Sequence, residues 1–215
     1  MGHLIKPVTD MNKQPIISLF DKTGNAVKPW AEAGHPCYCF DIQHSIRADR
    51  TVGNITYCWA NLLATRPGDL PGNPYAVFAF PECTQGAVSG SRDWKRKGLS
   101  AFIAWLTMFE KARELCEWFG CRYLIEQPIV DSSIAKRWRE PDVRFHPWQY
   151  GDGYTKHTNL WTGGGFVMPE PTVLVEPQDV DDRIHKATPG PGRADFRSAS
   201  PPKTFRAIYE ANKPG

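Results

Sequence analysis

A short apolar run, Pro15-Ile-Ile-Ser-Leu-Phe20, stops at the polar turn Asp21-Lys-Thr-Gly24-Asn25, and a second run, Cys37-Tyr-Cys-Phe40, stops at Asp41. Both runs read as strands. Between them Ala26–Ala33 reads as a short helix: Asn25 suits an N-cap, Pro29 falls near the first turn where its missing N–H costs little, and Gly34 closes it. Strand, glycine-containing turn, helix, strand and acid are the cofactor-binding half of a Rossmann-like α/β fold. In that half the turn admits a ligand to the backbone, and an acid roughly 20 residues further on accepts ribose hydroxyls. Only Gly24 stands for a glycine-rich loop, so the same residues serve as well for a generic α/β turn. The dinucleotide form of the motif is absent.

The chemistry gathers at two later strand ends. Ile55-Thr-Tyr-Cys-Trp59 reads as a third strand leading to Asn61, and Tyr75-Ala-Val-Phe-Ala-Phe80 as a buried strand stopped by Pro81. The loop Pro81–Arg92 carries Cys83 just past that stop. Ligands in open α/β sheets bind at the carboxyl ends of the strands, which places Cys83 as a nucleophile, although most lone cysteines are merely buried. Tyr123-Leu-Ile-Glu126-Gln-Pro128 is a further strand ending in an acid, so Cys83 and Glu126 form a candidate nucleophile and proton donor. Leu99–Trp118, starting at Gly98 or Ser100 and ending at Gly120, is the clearest helix. Its stripe of Leu99, Phe102, Ile103, Leu106, Phe109, Leu115 and Cys116 is read as core packing.

The remaining organisation follows from punctuation. Residues 1–14 are a polar leader, 15–169 the Rossmann-like domain, and 170–215 a strap rich in proline, glycine and charge with a terminal helix at Phe205–Ala211. Ser132–Trp138 reads as a short helix. Within an insertion at about 132–168, aromatics and cations alternate, which suits either stacking on bases and phosphates or a packed β-rich excursion of the same domain. The cysteines at 37, 39, 58, 83, 116 and 121 include no Cys-x-x-Cys pair, so no zinc site is expected. No apolar run reaches the ~18 residues of a membrane span, and a reducing cytoplasm is the expected setting. A net charge of +3 permits a polyanionic partner without requiring one.

In order and content these pieces resemble the cytosine-5 DNA methyltransferases, most closely the compact methyltransferase-like proteins of bacteriophage genomes, over about Ile16 to Glu210. Ser18-Leu-Phe-Asp-Lys-Thr-Gly-Asn25 is similar to the S-adenosylmethionine motif, Asp41 to the ribose-binding acid, and Asn61 to the residue at the adenine edge. Pro81-Glu-Cys83, followed by Ser89-Gly90 and Arg92, resembles the Pro-Pro-Cys catalytic loop. Glu126-Gln-Pro128 resembles the Glu-Asn-Pro or Glu-Asn-Val motif, and Arg197-Ser-Ala-Ser-Pro201 a late Arg-x-x-Ser/Thr-Pro segment. Lys22, Glu82 and Gln127 depart from the family's glycine, proline and asparagine. Lys136-Arg-Trp-Arg139 is what remains of a Gln-Arg-x-Arg signature, and no large target-recognition domain fits.

The resemblance implies a class I methyltransferase fold, mostly parallel with helices on both faces, and S-adenosylmethionine as cofactor. It would be held by Phe20, Asp21, Thr23, Gly24, Asn25, Asp41, Ile42, Asn61 and Pro81. It further implies methylation of cytosine C5 in DNA, with Cys83 adding to C6, Glu126 protonating N3 and Arg92 assisting. Lys136, Arg137, Arg139 and Lys156 would contact a nucleic acid whose target base is flipped out or single-stranded. If phage-encoded, the protein would work in the host cytoplasm. Two other functions fit the residues: thiol-addition chemistry on a free cytosine nucleotide, and a catalytically silent descendant that binds DNA or a partner.

Overall fold

The computed structural model describes residues 13–83, 94–128, 138–182, 190 and 192–214. Strand β1 (Ile16–Leu19) pairs in parallel with β2 (Cys37–Asp41), and α1 (Lys28–Glu32) joins them. The helix is shorter than the sequence suggests, and Asn25 does not cap it: Val27 precedes the first turn, without a side-chain cap. The reason lies in the turn before it. Asp21 and Thr23 already bind the N–H groups of residues 23–25, and Val27 N donates to the Gly24 carbonyl.

A two-residue hairpin turn at Gly53-Asn54 joins β3 (Arg50–Val52) to β4 (Ile55–Trp59). Strand β3 went unread because it is three exposed residues long, with no buried face to set an alternating pattern. The chain continues through β5 (Ala76–Ala79), α2 (Trp94–Lys97), α3 (Leu99–Trp118), β6 (Arg122–Pro128), β7 (Val143–Phe145) and β8 (Thr158–Gly163). It ends with α4 (Arg193–Ser198) and α5 (Pro202–Asn212).

The eight strands form one sheet in the order β3-β4-β2-β1-β5-β6-β8-β7. Strands β4, β2, β1, β5 and β6 are parallel, and β8 enters antiparallel between β6 and β7. The order reverses at β1, from which the chain builds first toward β4 and then toward β6. A parallel sheet wound in two directions, with β3 and β8 antiparallel to it, is the Rossmann-like α/β arrangement expected from the sequence. Its functional crevice lies beyond the carboxyl ends at that reversal.

Both faces are covered, which is why the strands are near-continuous apolar runs. Ile17, Leu19, Val77, Ala79, Tyr123 and Ile125 share one cluster with Trp105, Phe109, Ala112, Leu115 and Cys116 of α3. Ile16, Ala76, Phe78, Leu124 and Leu160 share the other with Trp30 of α1 and Phe205 and Ile208 of α5. The stripe expected on α3 is only partly right. Leu99 and Ile103 are 71% and 53% exposed, because at ~100° per residue they lie more than about 100° round the helix from the face carrying Trp105, Phe109 and Cys116.

Residues 139–168 fold as part of the main sheet. Trp148, Tyr150 and Trp161 are buried, so these aromatics pack the core rather than form an open stacking platform. The tail departs from an extended strap by forming α4, and α5 starts earlier than expected, at Pro202. Asp152 accepts from the N–H groups of Lys203 and Thr204 at 3.2 and 2.8 Å, capping α5 from across the fold. At the other end Asn212 exchanges hydrogen bonds with Val167. Among the described residues no helix is long and apolar enough to cross a membrane.

Candidate active site

The turn after β1 is built on a carboxylate. Asp21 is buried, and its Oδ1 accepts from Thr23 N at 2.9 Å and Gly24 N at 2.8 Å, while its Oδ2 accepts from Ser18 Oγ at 2.7 Å. Asp21 therefore shapes the turn instead of facing a ligand, which corrects its reading as a direct cofactor contact. Phe20 turns the corner at φ 56°, a left-handed conformation that bulky side chains adopt only when their surroundings impose it. Gly24 sits at φ 68°, and a Cβ there would meet Tyr57 Oη at 2.9 Å. Tyr57 in turn donates to the Thr23 carbonyl at 3.2 Å. The glycine is thus required by the backing tyrosine as well as by the turn.

At the end of β2, Asp41 is buried and its Oδ1 accepts from Gln43 N at 2.7 Å; among the described residues Oδ2 has no protein hydrogen bond. Ile42 beside it is 60% exposed, and Trp59, its neighbour at the end of β4, is also exposed. Asn61 is exposed as well. An acid with one unused oxygen, flanked by exposed apolar side chains, fits a nucleoside with a vicinal diol. His44 was not foreseen: its Nε2 lies 3.1 Å from the Asp21 carbonyl and its ring packs edge-on against Tyr57, tying the two turns together. Nothing in its sequence neighbourhood signals this.

Strands β5 and β6 lie side by side, Ala79 opposite Ile125, so the chain leaves β5 at Phe80 next to Glu126, which stays in β6 opposite Leu160 of β8. Two turns of chain later Cys83 is half-buried. Burial pushes its thiol up to about 11; Glu126 pushes the same way, and Lys156 opposes both. Lys156 Nζ stands 3.4 Å from Glu126 Oε1, with both side chains almost wholly buried. That oxygen is sealed from solvent and accepts no hydrogen bond within the described structure. A buried pair with its hydrogen-bonding capacity unused leaves room for a polar ligand edge.

Phe80, Glu126, Lys156, Thr158, Ser200 and Pro201 line a cleft here, closed by Phe205. It holds about 10 Å³, roughly one water, so a planar ring enters only if the wall formed by α5 and the residues before it moves. The Arg197–Pro201 segment reaches the site through Ser200 and Pro201. Lys156, expected on a phosphate-facing surface, is instead a pocket residue. The signal was present: Lys156, Thr158 and Leu160 alternate, which directs all three to one face.

Arg139 also turns inward, pairing with Asp142 at 3.2 Å and donating to the Thr162 carbonyl. Arg92, Lys136, Arg137, Ser89-Gly90 and most of the expected Ser132–Trp138 helix lie outside the described residues. Of the departures from the family pattern, Lys22 and Glu82 are exposed, whereas Gln127 is buried on the α3 side.

No family model matches the chain, and no curated protein matches it either. Its fold is similar to two solved structures of the glycopeptide N-methyltransferase MtfA. One matches at 12% identity and a TM-score of 0.33, covering 62% of this chain and 52% of that one. The other, complexed with (S)-adenosyl-L-methionine, matches at 13% identity and a TM-score of 0.30, over 62% and 50%. The chain spans about half the length of those structures. At such distance it is the strand order, reversing at β1 and closed by antiparallel β8, that assigns the fold.

Proposed function

We propose that this protein transfers a methyl group from S-adenosylmethionine to C5 of cytosine in DNA, through a transient bond between Cys83 Sγ and C6. The observation that carries this reading is the buried Glu126–Lys156 pair, with one unpartnered carboxylate oxygen, at the end of β6 next to the strand that leads into Cys83, beside a nucleoside-shaped site at the ends of β1 and β2. The residues at the ends of β2 and β4 fit the cofactor: Asp41 Oδ2 would hold its ribose, and Ile42 and Trp59 would flank its adenine. When bound, S-adenosylmethionine supplies an electrophilic methyl group.

The chain's own residues do the rest. Cytosine C5 is a weak nucleophile until a thiolate adds at C6. As Sγ bonds to C6, the C5–C6 π electrons move toward C5 and the ring, and Glu126 delivers a proton at N3. Lys156 holds Glu126 in the cleft and opposes its effect on the thiol. After methyl transfer, loss of the C5 proton restores the C5–C6 double bond and expels Cys83. As the base docks, the Cys83 proton passes to the Glu126 carboxylate, and this is the proton that Glu126 delivers at N3.

Labelled methyl transfer tested with cytosine DNA, cytosine mononucleotides and no substrate decides the substrate. DNA-dependent transfer whose binding weakens steeply with salt supports the proposal. Transfer to mononucleotides alone favours the second reading, for which one observation speaks: Lys156 is buried against Glu126 rather than forming part of an exposed basic face. Of the departures that motivate the silent reading, Glu82 and Lys22 are exposed, and Glu82 adds to the negative charge acting on the thiol.

The two aspartates separate cofactor binding from architecture. Asp41→Ala is expected to weaken S-adenosylmethionine binding by about 10–100-fold, the worth of a charge-assisted hydrogen bond, while shifting the melting midpoint little. Asp21→Ala should mainly lower stability, by about 1–3 kcal/mol, because it strands buried donors. Calorimetry and denaturant unfolding of the two variants check both. Equal affinity in Asp41→Ala would remove the ribose site.

A further inference from the structure

Gln127 follows Glu126 on β6, and strand alternation turns it to the opposite face of the sheet, under α3. It is fully buried. Its Nε2 donates to the Pro81 carbonyl at 2.5 Å, and its Oε1 accepts from the Trp105 indole N–H at 3.2 Å. An amide sealed from water is tolerated only when both ends are bonded, and here both are. Pro81 lies two residues before Cys83, just where the β5 ladder runs out. Phe80 N makes the last ladder-like bond, to the Leu19 carbonyl, Pro81 has no N–H to offer, and Glu82 N reaches only the sulfur of Met108. Among the described residues the amide thus anchors the backbone entering the thiol from the α3 side of the sheet. An asparagine, one methylene shorter, would not span from β6 to both Pro81 and Trp105.

We propose that Gln127 is a positioning residue for the nucleophile: its amide ties the thiol loop to β6 and α3 and so holds Cys83 against Glu126 and Lys156. It rests on the reading of Cys83 as the nucleophile. Gln127 faces away from the cleft and touches neither base nor cofactor. It acts through the Pro81 carbonyl.

The test measures alkylation of Cys83 by iodoacetamide across pH, in the full chain, with peptide mass spectrometry to identify the site. Methyl transfer and the melting midpoint are measured alongside. Gln127→Met keeps the volume but removes both bonds. Release of the loop relieves the burial that holds the thiol high, so alkylation at pH 8 is expected to rise at least about tenfold, one pH unit of thiolate fraction. Turnover should fall by about tenfold or more while KM for S-adenosylmethionine stays near wild type.

A purely structural role would not send thiol reactivity up and turnover down together. Where Gln127→Met fails to fold, Trp105→Phe, which removes the indole N–H along with part of the ring, should shift alkylation the same way by a smaller factor. An unchanged alkylation profile in whichever of these folds overturns the proposal. A shifted profile in a protein whose wild type transfers no methyl group to any cytosine substrate leaves the anchor standing and overturns the proposed function instead.

Discussion

Cys83→Ser protein is expected to form no covalent complex with DNA carrying 5-fluorocytosine in the presence of S-adenosylmethionine, whereas wild-type protein accumulates one. After methyl transfer the adduct resolves only by losing the substituent at C5, and fluorine does not leave as a proton does. The complex therefore persists through denaturing electrophoresis. Serine keeps the shape of the loop but offers an oxygen too weakly nucleophilic to add at C6. Cofactor binding should be almost unaffected, because the proposed contacts come from the turns after β1 and β2. The other cysteines provide the control. Cys37, Cys39, Cys58 and Cys116 are buried and Cys121 is half-buried, so their serine variants should still trap. Cys116→Ser should lose stability, since it introduces a hydroxyl into the cluster under α3. Trapping by Cys83→Ser would overturn the thiol assignment, and turnover by wild type without trapping would point to attack on an exocyclic amine.

Glu126→Gln is expected to divide two properties that otherwise travel together. Methyl transfer should fall by about 10²–10⁴-fold, because an amide does not deliver the N3 proton. Chemical reactivity of Cys83 should rise. The sign follows from the charges around the thiol: Glu126 pushes its pKa up and Lys156 pulls it down, so removing the acid lowers it and removing the cation raises it. At pH 8 iodoacetamide should therefore modify Cys83 faster in Glu126→Gln and slower in Lys156→Met than in wild type. All three rates should climb with pH, wild type toward about 11. Both variants strand a buried charge, so each should also lose stability, by about 3–5 kcal/mol as for broken buried pairs. Rates are thus compared below the first signs of unfolding. Equal alkylation rates in the three proteins would dissociate Glu126 and Lys156 from the thiol.

Much of the fold was legible because each parallel strand is apolar along its length and stops at a residue that cannot continue it. Ile16–Leu19 stops at Phe20-Asp21, Cys37–Phe40 at Asp41 and Ala76–Ala79 at Phe80-Pro81, while the end of β6 carries Glu126. Burial on both faces writes such runs into the sequence, and the carboxyl ends of neighbouring strands must share one crevice. Cys83 and Glu126 were therefore placed together by local pattern alone. The three exposed residues of β3 carry no such pattern.

What the sequence by itself determined was the strand runs, the α3 helix and the placing of Cys83 and Glu126 by neighbouring strand ends. Only the tertiary structure decided that Asp21 is spent on its own turn, that Lys156 faces Glu126 instead of phosphate, and that Gln127 grips the Pro81 carbonyl. The physical reason is common to all three. A polar side chain has no fixed partner in a linear chain, and its role depends on which donors and acceptors burial leaves within about 3 Å of it. For Lys156 that partner is thirty residues away, across the antiparallel β6–β8 pair. For Gln127 it is forty-six residues away, across the parallel β5–β6 pair.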